Sequence, residues 1–170
     1  VADLQIQILY KQEKDVLKVW IKRPNVINKK VRGKLEFIVP SNTGVKIENS
    51  TGNVSIDGIV KNDILVETLR GNVNVRNFEA NAKVKSSSGN IDIRESIGNL
   101  DVSSISGSIS ISAQNGLIKA ITTTGVVTII DVVGDMNVKS SASNVSFKNT
   151  KGKINVETFS GKIEGDNVLL

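Results

Sequence analysis

The stretch SSSGNIDIRESIGNLDVSSISGSISISAQNGLIKAITTTGVVTI, Ser86 to Ile129, is the ruler for the chain, because Gly89, Gly98, Gly107, Gly116 and Gly125 fall nine residues apart without a break. Counting each glycine as place one, places three and five are Ile, Leu, Val or Ala in every unit of this stretch. Such self-similarity marks a repeat architecture in which one unit stacks on the next. Forward, the ruler meets Gly134, Ser143, Gly152 and Gly161; backward it meets Ala80 and Gly71. The step from Gly52 to Gly71 is nineteen, one residue too many, and Asp57-Gly58 is the natural place for the extra residue, as a turn or bulge.

Two kinds of nine alternate, so the true period is eighteen. Units starting at 62, 80, 98, 116, 134 and 152 carry Thr68, Ser86, Ser104, Thr122, Ser140 and Thr158 at place seven, and the alternate units show no such column. A coil of two unequal halves, each giving one short strand and one turn, is what a parallel solenoid needs. Side chains alternate along a strand, so places three, five and seven share a face. One core wall then runs from Ile64 and Val66 through Ile118 and Ala120 to Ile154 and Val156. The facing wall runs from Val54 and Ile56 through Ile109 and Ile111 to Phe147 and Ile163. The Ser/Thr column falls at the corner after the first wall, where hydroxyls can bond turn backbone.

Ahead of the repeats, residues 3 to 10 and 16 to 22 alternate apolar and polar about a polar run, Lys11 to Asp15, and read as a hairpin. A third strand is expected over Lys34 to Val39, ending at Pro40. Residues 1–43 would thus be antiparallel strands capping the first coil, and 44–170 the repeats, in one structural domain. The fold class is all-β, a single-stranded parallel β-helix of about 18 residues per coil.

Composition removes several chemistries. The chain has no cysteine and no histidine, which excludes disulfides, thiolate metal sites, the commonest general base and the commonest zinc ligand. No cofactor or metal is expected. Residues 1 to 43 hold nine Lys or Arg against four acids, which accounts for the net charge of +5, while the repeats carry thirteen of each sign. A neutral solenoid with one Trp and one Tyr has neither the basic groove nor the aromatic ladder of a nucleic-acid binder. Within the basic segment Lys29, Lys30, Arg32 and Lys34 are the candidate contact for an anionic surface, set against the plainer reading of solvated strand faces. The chain begins at Val1 rather than Met and reads as an excerpt, so a membrane connection is expected only through a segment outside it.

Parallel β-helices also serve as polysaccharide lyases and hydrolases, whose acids stand on neighbouring coils of one face. Here Asp92 and Asp101 hold the fourth place of successive nines and so fall on opposite walls. Without two carboxyls about 5 to 10 Å apart there is no glycosidase pair, and the chain reads as not an enzyme. Calcium-binding nonapeptide repeats need Gly-Gly-x-Gly-x-Asp turns, whereas place two here is mostly Asn (Asn53, Asn72, Asn90, Asn99, Asn144), which predicts a structural amide ladder. Lys83, Asp101 and Lys119, and likewise Glu67 and Lys85, stand one coil apart and should pair across the stack, each pair contributing at most about 1 kcal/mol. Asn49, Asn53 and Asn144 match the glycosylation acceptor pattern, which matters only in an exported chain. One coil breaks the outward-polar rule: Leu117, Ile121, Val126 and Ile130 are apolar at outward places, and are the candidate interaction patch, expected as two separate pairs. The C-terminal GDNVLL, with Gly165 at an apolar place, is expected to fold over the last coil or meet a second copy.

The order of these parts resembles a family. An apolar strand ending in Pro and the first repeat, LEFIVPSNTGVKIENSTGNVSI (Leu35 to Ile56), are followed by SSSGNIDI (Ser86 to Ile93), SISGSISI (Ser104 to Ile111) and TFSGKI (Thr158 to Ile163). This is similar to the adhesin family of unknown function found in bacterial and archaeal proteins. The resemblance implies a right-handed parallel β-helix attached to a membrane-anchored protein, and it supplies no catalytic residues. The first functional expectation is therefore a non-catalytic interaction or adhesion module at the cell surface or envelope, with a protein or glycan partner. The second is a cytoplasmic, self-associating scaffold similar to bactofilin, hence a homo-oligomer. The third is a carbohydrate-binding or carbohydrate-active β-helix.

Overall fold

The computed structural model describes residues 7–14, 16–22 and 34–169, which form strands and turns without a helix. The chain divides into two units, 1–38 and 39–170. In the first unit β1 (Gln7–Glu13) and β2 (Val16–Lys22) pair antiparallel from Gln7↔Lys22 to Glu13↔Val16. The polar run expected to separate them is mostly strand: Lys11, Gln12 and Glu13 belong to β1, and Lys14 after them takes φ +52°. The third strand expected over Lys34 to Val39 does not form. Those residues are outside any ladder and exposed, and the first coil opens after a turn in which Thr43 N–H donates to Pro40 O at 3.0 Å.

The second unit is a parallel solenoid. Its first sheet contains β3 (Val45–Thr51), β5 (Ile64–Arg70), β7 (Ala82–Ser88), β9 (Leu100–Ser106), β11 (Ile118–Thr124), β13 (Met136–Ala142) and β15 (Ile154–Ser160). The second sheet contains β4 (Val54–Val60), β6 (Val73–Glu79), β8 (Ile91–Ile97), β10 (Ile109–Asn115), β12 (Val127–Val133), β14 (Val145–Lys151) and β16 (Ile163–Leu169). Each strand pairs with the next strand but one, so Ile111 lies beside Ile93 and Ile129, eighteen residues away on either side. Stacked strands about 4.8 Å apart favour small β-branched side chains that lie on their counterparts. The turns are laddered as well: Gly107 N–H donates to Thr124 O at 3.0 Å and Leu100 N–H to Leu117 O at 2.8 Å. The extra residue is where the spacing put it, because Gly58 and Ile59 together oppose Asn77 as a bulge between Asp57 and Val60.

Places three and five of both sheets build the core, with Val66, Val75, Ile93, Val102, Ile111, Ala120 and Ile129 fully buried. Glycine at place one is required at Gly116, for example, where φ is +138° and an added Cβ would lie 2.3 Å from the Gly98 carbonyl oxygen. Ala80 and Ser143 occupy the same place without a positive φ, a second backbone solution for the same turn.

Three further expectations need correction. Ile163 is about half exposed rather than core, because nothing among the described residues covers the last strand. The C-terminal segment does not fold over that coil: β16 stays in register with β14, Gly165 simply facing Phe147 and Leu169 facing Lys151, because strand pairing uses backbone groups that glycine has too. Finally, the second sheet has an inward column after all, at place eight rather than seven. Phe78, Ser96, Gln114, Val132 and Thr150 are buried there. The cause is a left-handed residue at place seven, Asn77, Glu95, Ala113, Asp131, Asn149 and Asn167 having φ of 51° to 58°, which turns the next side chain inward.

Candidate functional site

The four outward apolar side chains do not form patches. Leu117 and Ile121 belong to the first sheet's half of the coil, Val126 and Ile130 to the second's, as expected. Along the chain, however, Lys119 separates the first pair and Thr128 the second. Across the stack, Ile121 lies between Ser103 and Lys139, and Ile130 between Ser112 and Lys148. Leu117 and Val126 are exposed, Ile121 and Ile130 half-buried. Each is a single apolar group in polar surroundings, which is ordinary for a protein surface. Of the basic group, Lys34 is exposed and held by Glu36 at 2.9 Å, while Lys29, Lys30 and Arg32 lie outside the described residues.

The concave feature is a groove of about 1040 Å³ that crosses six coils where the first-sheet strands begin. Its floor is place three (Ile64, Ala82, Leu100, Ile118, Met136, Ile154), and its two rims are places two and four. The rims are electrically balanced: Lys83, Lys119 and Lys153 against Asp63, Asp101 and Asp135, the remainder being Asn and Leu. The place-two amides are partly committed to the fold. Asn81 Oδ1 accepts the Asn99 N–H at 3.1 Å, and Asn99 Oδ1 accepts the Leu117 N–H at 3.3 Å. Asn72 and Asn90 do the same on the second sheet, each at 3.0 Å. The expected amide ladder is therefore real, and it runs from side chain to the backbone of the next coil. It leaves the Nδ2 hydrogens of Asn81 and Asn99 at the groove rim without a protein acceptor among the described residues.

Most of the described carboxylates meet a base, and the two that face each other on neighbouring strands, Glu48 and Glu67, are held by Lys46 and Lys85. Asp92 and Asp101 stand on different sheets; Asp92 receives both Nε at 3.0 Å and an Nη at 2.9 Å from Arg94, whose guanidinium that hydrogen bond holds above its ordinary range. Asp101 pairs with Lys83 at 3.7 Å and Glu67 with Lys85 at 3.3 Å, as the alternating charges predict, whereas Lys119, on the other side of Asp101, makes no ion pair among the described residues; Lys139 pairs with Glu157 at 2.9 Å. No group of three or more metal-ligating side chains occurs among the described residues.

The buried hydroxyl column behaves only partly as expected. Thr122 and Thr158 each donate to the carbonyl two residues on, at 3.2 Å. Thr68, Ser86, Ser104 and Ser140 have no such partner, so what the column shares is small volume at a tight corner rather than a bond. At the opposite corner a cavity of about 340 Å³ meets a closed pair the sequence did not announce: Ser96 Oγ donates to Gln114 Oε1, and Gln114 Nε2 donates to Gly98 O at 2.5 Å. No protein family, curated protein or solved structure matches the chain.

Proposed function

We propose that the chain is a non-catalytic β-helical interaction module of adhesin type, part of a larger cell-surface or membrane-associated protein, and that its first-sheet groove receives a protein or glycan partner. The observation that carries this reading is the groove itself: six coils long, neutral overall, with rim positions that recur at the coil spacing, amide side chains among them and one ion pair, Lys83 with Asp101, bridging two coils. Such a lining suits an extended partner held by many weak polar contacts, and the buried strands beneath it keep the contacts at fixed spacing. The non-catalytic part rests on the carboxylates: Asp92 and Asp101 are split between sheets, and Glu48 and Glu67, which face each other on neighbouring strands, are each held by a lysine, Lys46 and Lys85, instead of standing as a free acid–base pair. The test is binding of the purified chain to envelope polysaccharides and surface proteins, comparing the groove variant Lys119→Glu/Asn137→Arg with the second-sheet variant Thr128→Arg. Binding lost only in the groove variant supports the reading. Binding that survives it, or turnover of a glycan by the parent chain, contradicts it. A self-associating scaffold is the second reading, and the charge-poor edge described next is what speaks for it.

A further inference from the structure

The solenoid has two edges, where the chain passes from one sheet to the other, and their charge differs sharply. The edge leading from first-sheet to second-sheet strands is made of residues 49–53, 68–72, 86–90, 104–108, 122–126, 140–144 and 158–162, which read NSTGN, TLRGN, SSSGN, SISGS, TTTGV, SSASN and TFSGK. It contains no Asp or Glu, and its only charges, Arg70 and Lys162, lie toward opposite ends. The other edge, over residues 59–63, 77–81, 95–99, 113–117, 131–135 and 149–153, carries eight charged residues. On the uncharged edge Leu69 is 58 %, Ile105 60 % and Phe159 95 % exposed, all at place eight and on separate coils, with Ser87, Thr123 and Ser141 at the same place between them. Fold geometry needs the glycines and the small buried side chains of this edge, but it does not need the exposed places to be neutral.

From this we infer that the uncharged edge is a self-association surface, on which a second copy of the chain docks side by side and antiparallel. The surface repeats at the strand spacing of about 4.8 Å, so a partner that meets every coil alike must share that pitch, and a second copy does so by construction. No charge has to be stripped of water over the central coils, in keeping with the depletion of charge at interface cores. Orientation follows from the pattern. The strand β9, which bears Ile105, is the middle one of seven in the first sheet. A two-fold axis there sets Ile105 on Ile105 of the second copy, Ser87 opposite Thr123, Leu69 opposite Ser141 and Ser50 opposite Phe159. Arg70 and Lys162 then face uncharged coils, whereas a parallel arrangement would stack each on its own copy. The strip is narrow, so the dimer forms at high local concentration. This surface is separate from the groove rims of Lys119 and Asn137, so either reading can fail alone.

The chain has no cysteine, which makes the test direct. Under mild oxidation Ile105→Cys should give covalent dimer, while Ile97→Cys, 55 % exposed on the charged edge, should give little. Ser87→Cys or Thr123→Cys alone should crosslink poorly, and an equimolar mixture of the two should crosslink well. In sedimentation, Ile105→Lys should weaken dimerisation of the cysteine-free chain at least tenfold without changing its melting. Equal crosslinking of Ile105→Cys and Ile97→Cys overturns the proposal, and so does efficient crosslinking of Ser87→Cys and Thr123→Cys each with itself. An Ile105→Cys thiol shielded from alkylation by a neutral glucan, and not by raising the chain's own concentration, overturns it in favour of a glycan.

Discussion

Replacing Ile111 by Asp tests the register at its centre. Ile111 is fully buried, with Ile93 and Ile129 on the neighbouring coils. Deleting a buried aliphatic side chain of this size costs about 2 to 5 kcal/mol. A carboxyl left there must either stay charged at several kcal/mol or take up a proton at about 1.4 kcal/mol for each unit its pKa rises. Together these come to about 6 kcal/mol, comparable with the whole stability of a typical domain. Ser110→Asp moves the same charge one residue along, to a half-buried outward place between Asp92 and Thr128. Its main cost is repulsion from Asp92, which Arg94 already neutralises, so about 0.5 kcal/mol or less is expected. Urea unfolding followed by circular dichroism should show Ile111→Asp unfolded or nearly so in water and Ser110→Asp close to the parent. Equal midpoints for the two variants would refute the inward assignment of places three and five.

Ala113 holds φ +52° at place seven of β10, a conformation that glycine adopts without cost, so Ala113→Gly should raise stability by about 0.5 to 1 kcal/mol, seen as a higher urea midpoint at unchanged slope. Ser104 is buried and its hydroxyl has no hydrogen-bond partner, so Ser104→Ala should change stability by less than about 1 kcal/mol in either direction; a larger loss would mean that the hydroxyl makes a bond in solution.

The sequence states the period because the turn is demanding: glycine recurs where φ is positive and a Cβ would run into the carbonyl of the previous coil, a constraint that returns with nearly every turn. The bulge at Gly58 was legible for the same reason, a counting argument with a flexible residue at the right spot. Strict alternation then misled over the second sheet, since it was carried past a left-handed residue. Asn77, Asp131, Asn149 and Asn167 do signal that conformation, being the side chains that tolerate it best, but Glu95 and Ala113 break the column. The supposed apolar patches failed for another reason. Neighbours on a solenoid surface are eighteen residues away, so Ile121 has to be read with Ser103 and Lys139 rather than with Leu117. Gln114 and Ser96 look like exposed polar residues in a linear reading, and only the inward place eight shows them as a buried pair. The uncharged edge, by contrast, is plain in the sequence once the coils are aligned, because charge needs no geometry beyond the period.

The central claim is that residues eighteen apart are neighbours and residues nine apart lie on different sheets, which one thiol measurement in the cysteine-free chain can decide. Ser110 and Thr128 are paired on adjacent strands of the second sheet, while Lys119 belongs to the first. A Ser110→Cys/Thr128→Cys variant brings its Cα atoms within the roughly 4.4 to 6.8 Å that a disulfide or a short thiol linker spans, and a Ser110→Cys/Lys119→Cys variant places its thiols on opposite outer faces. Intramolecular closure, read by intact mass and peptide mapping on dilute protein, should be complete for the first variant and absent for the second. Closure of the second in preference to the first would contradict the two-sheet coil and everything built on its surfaces.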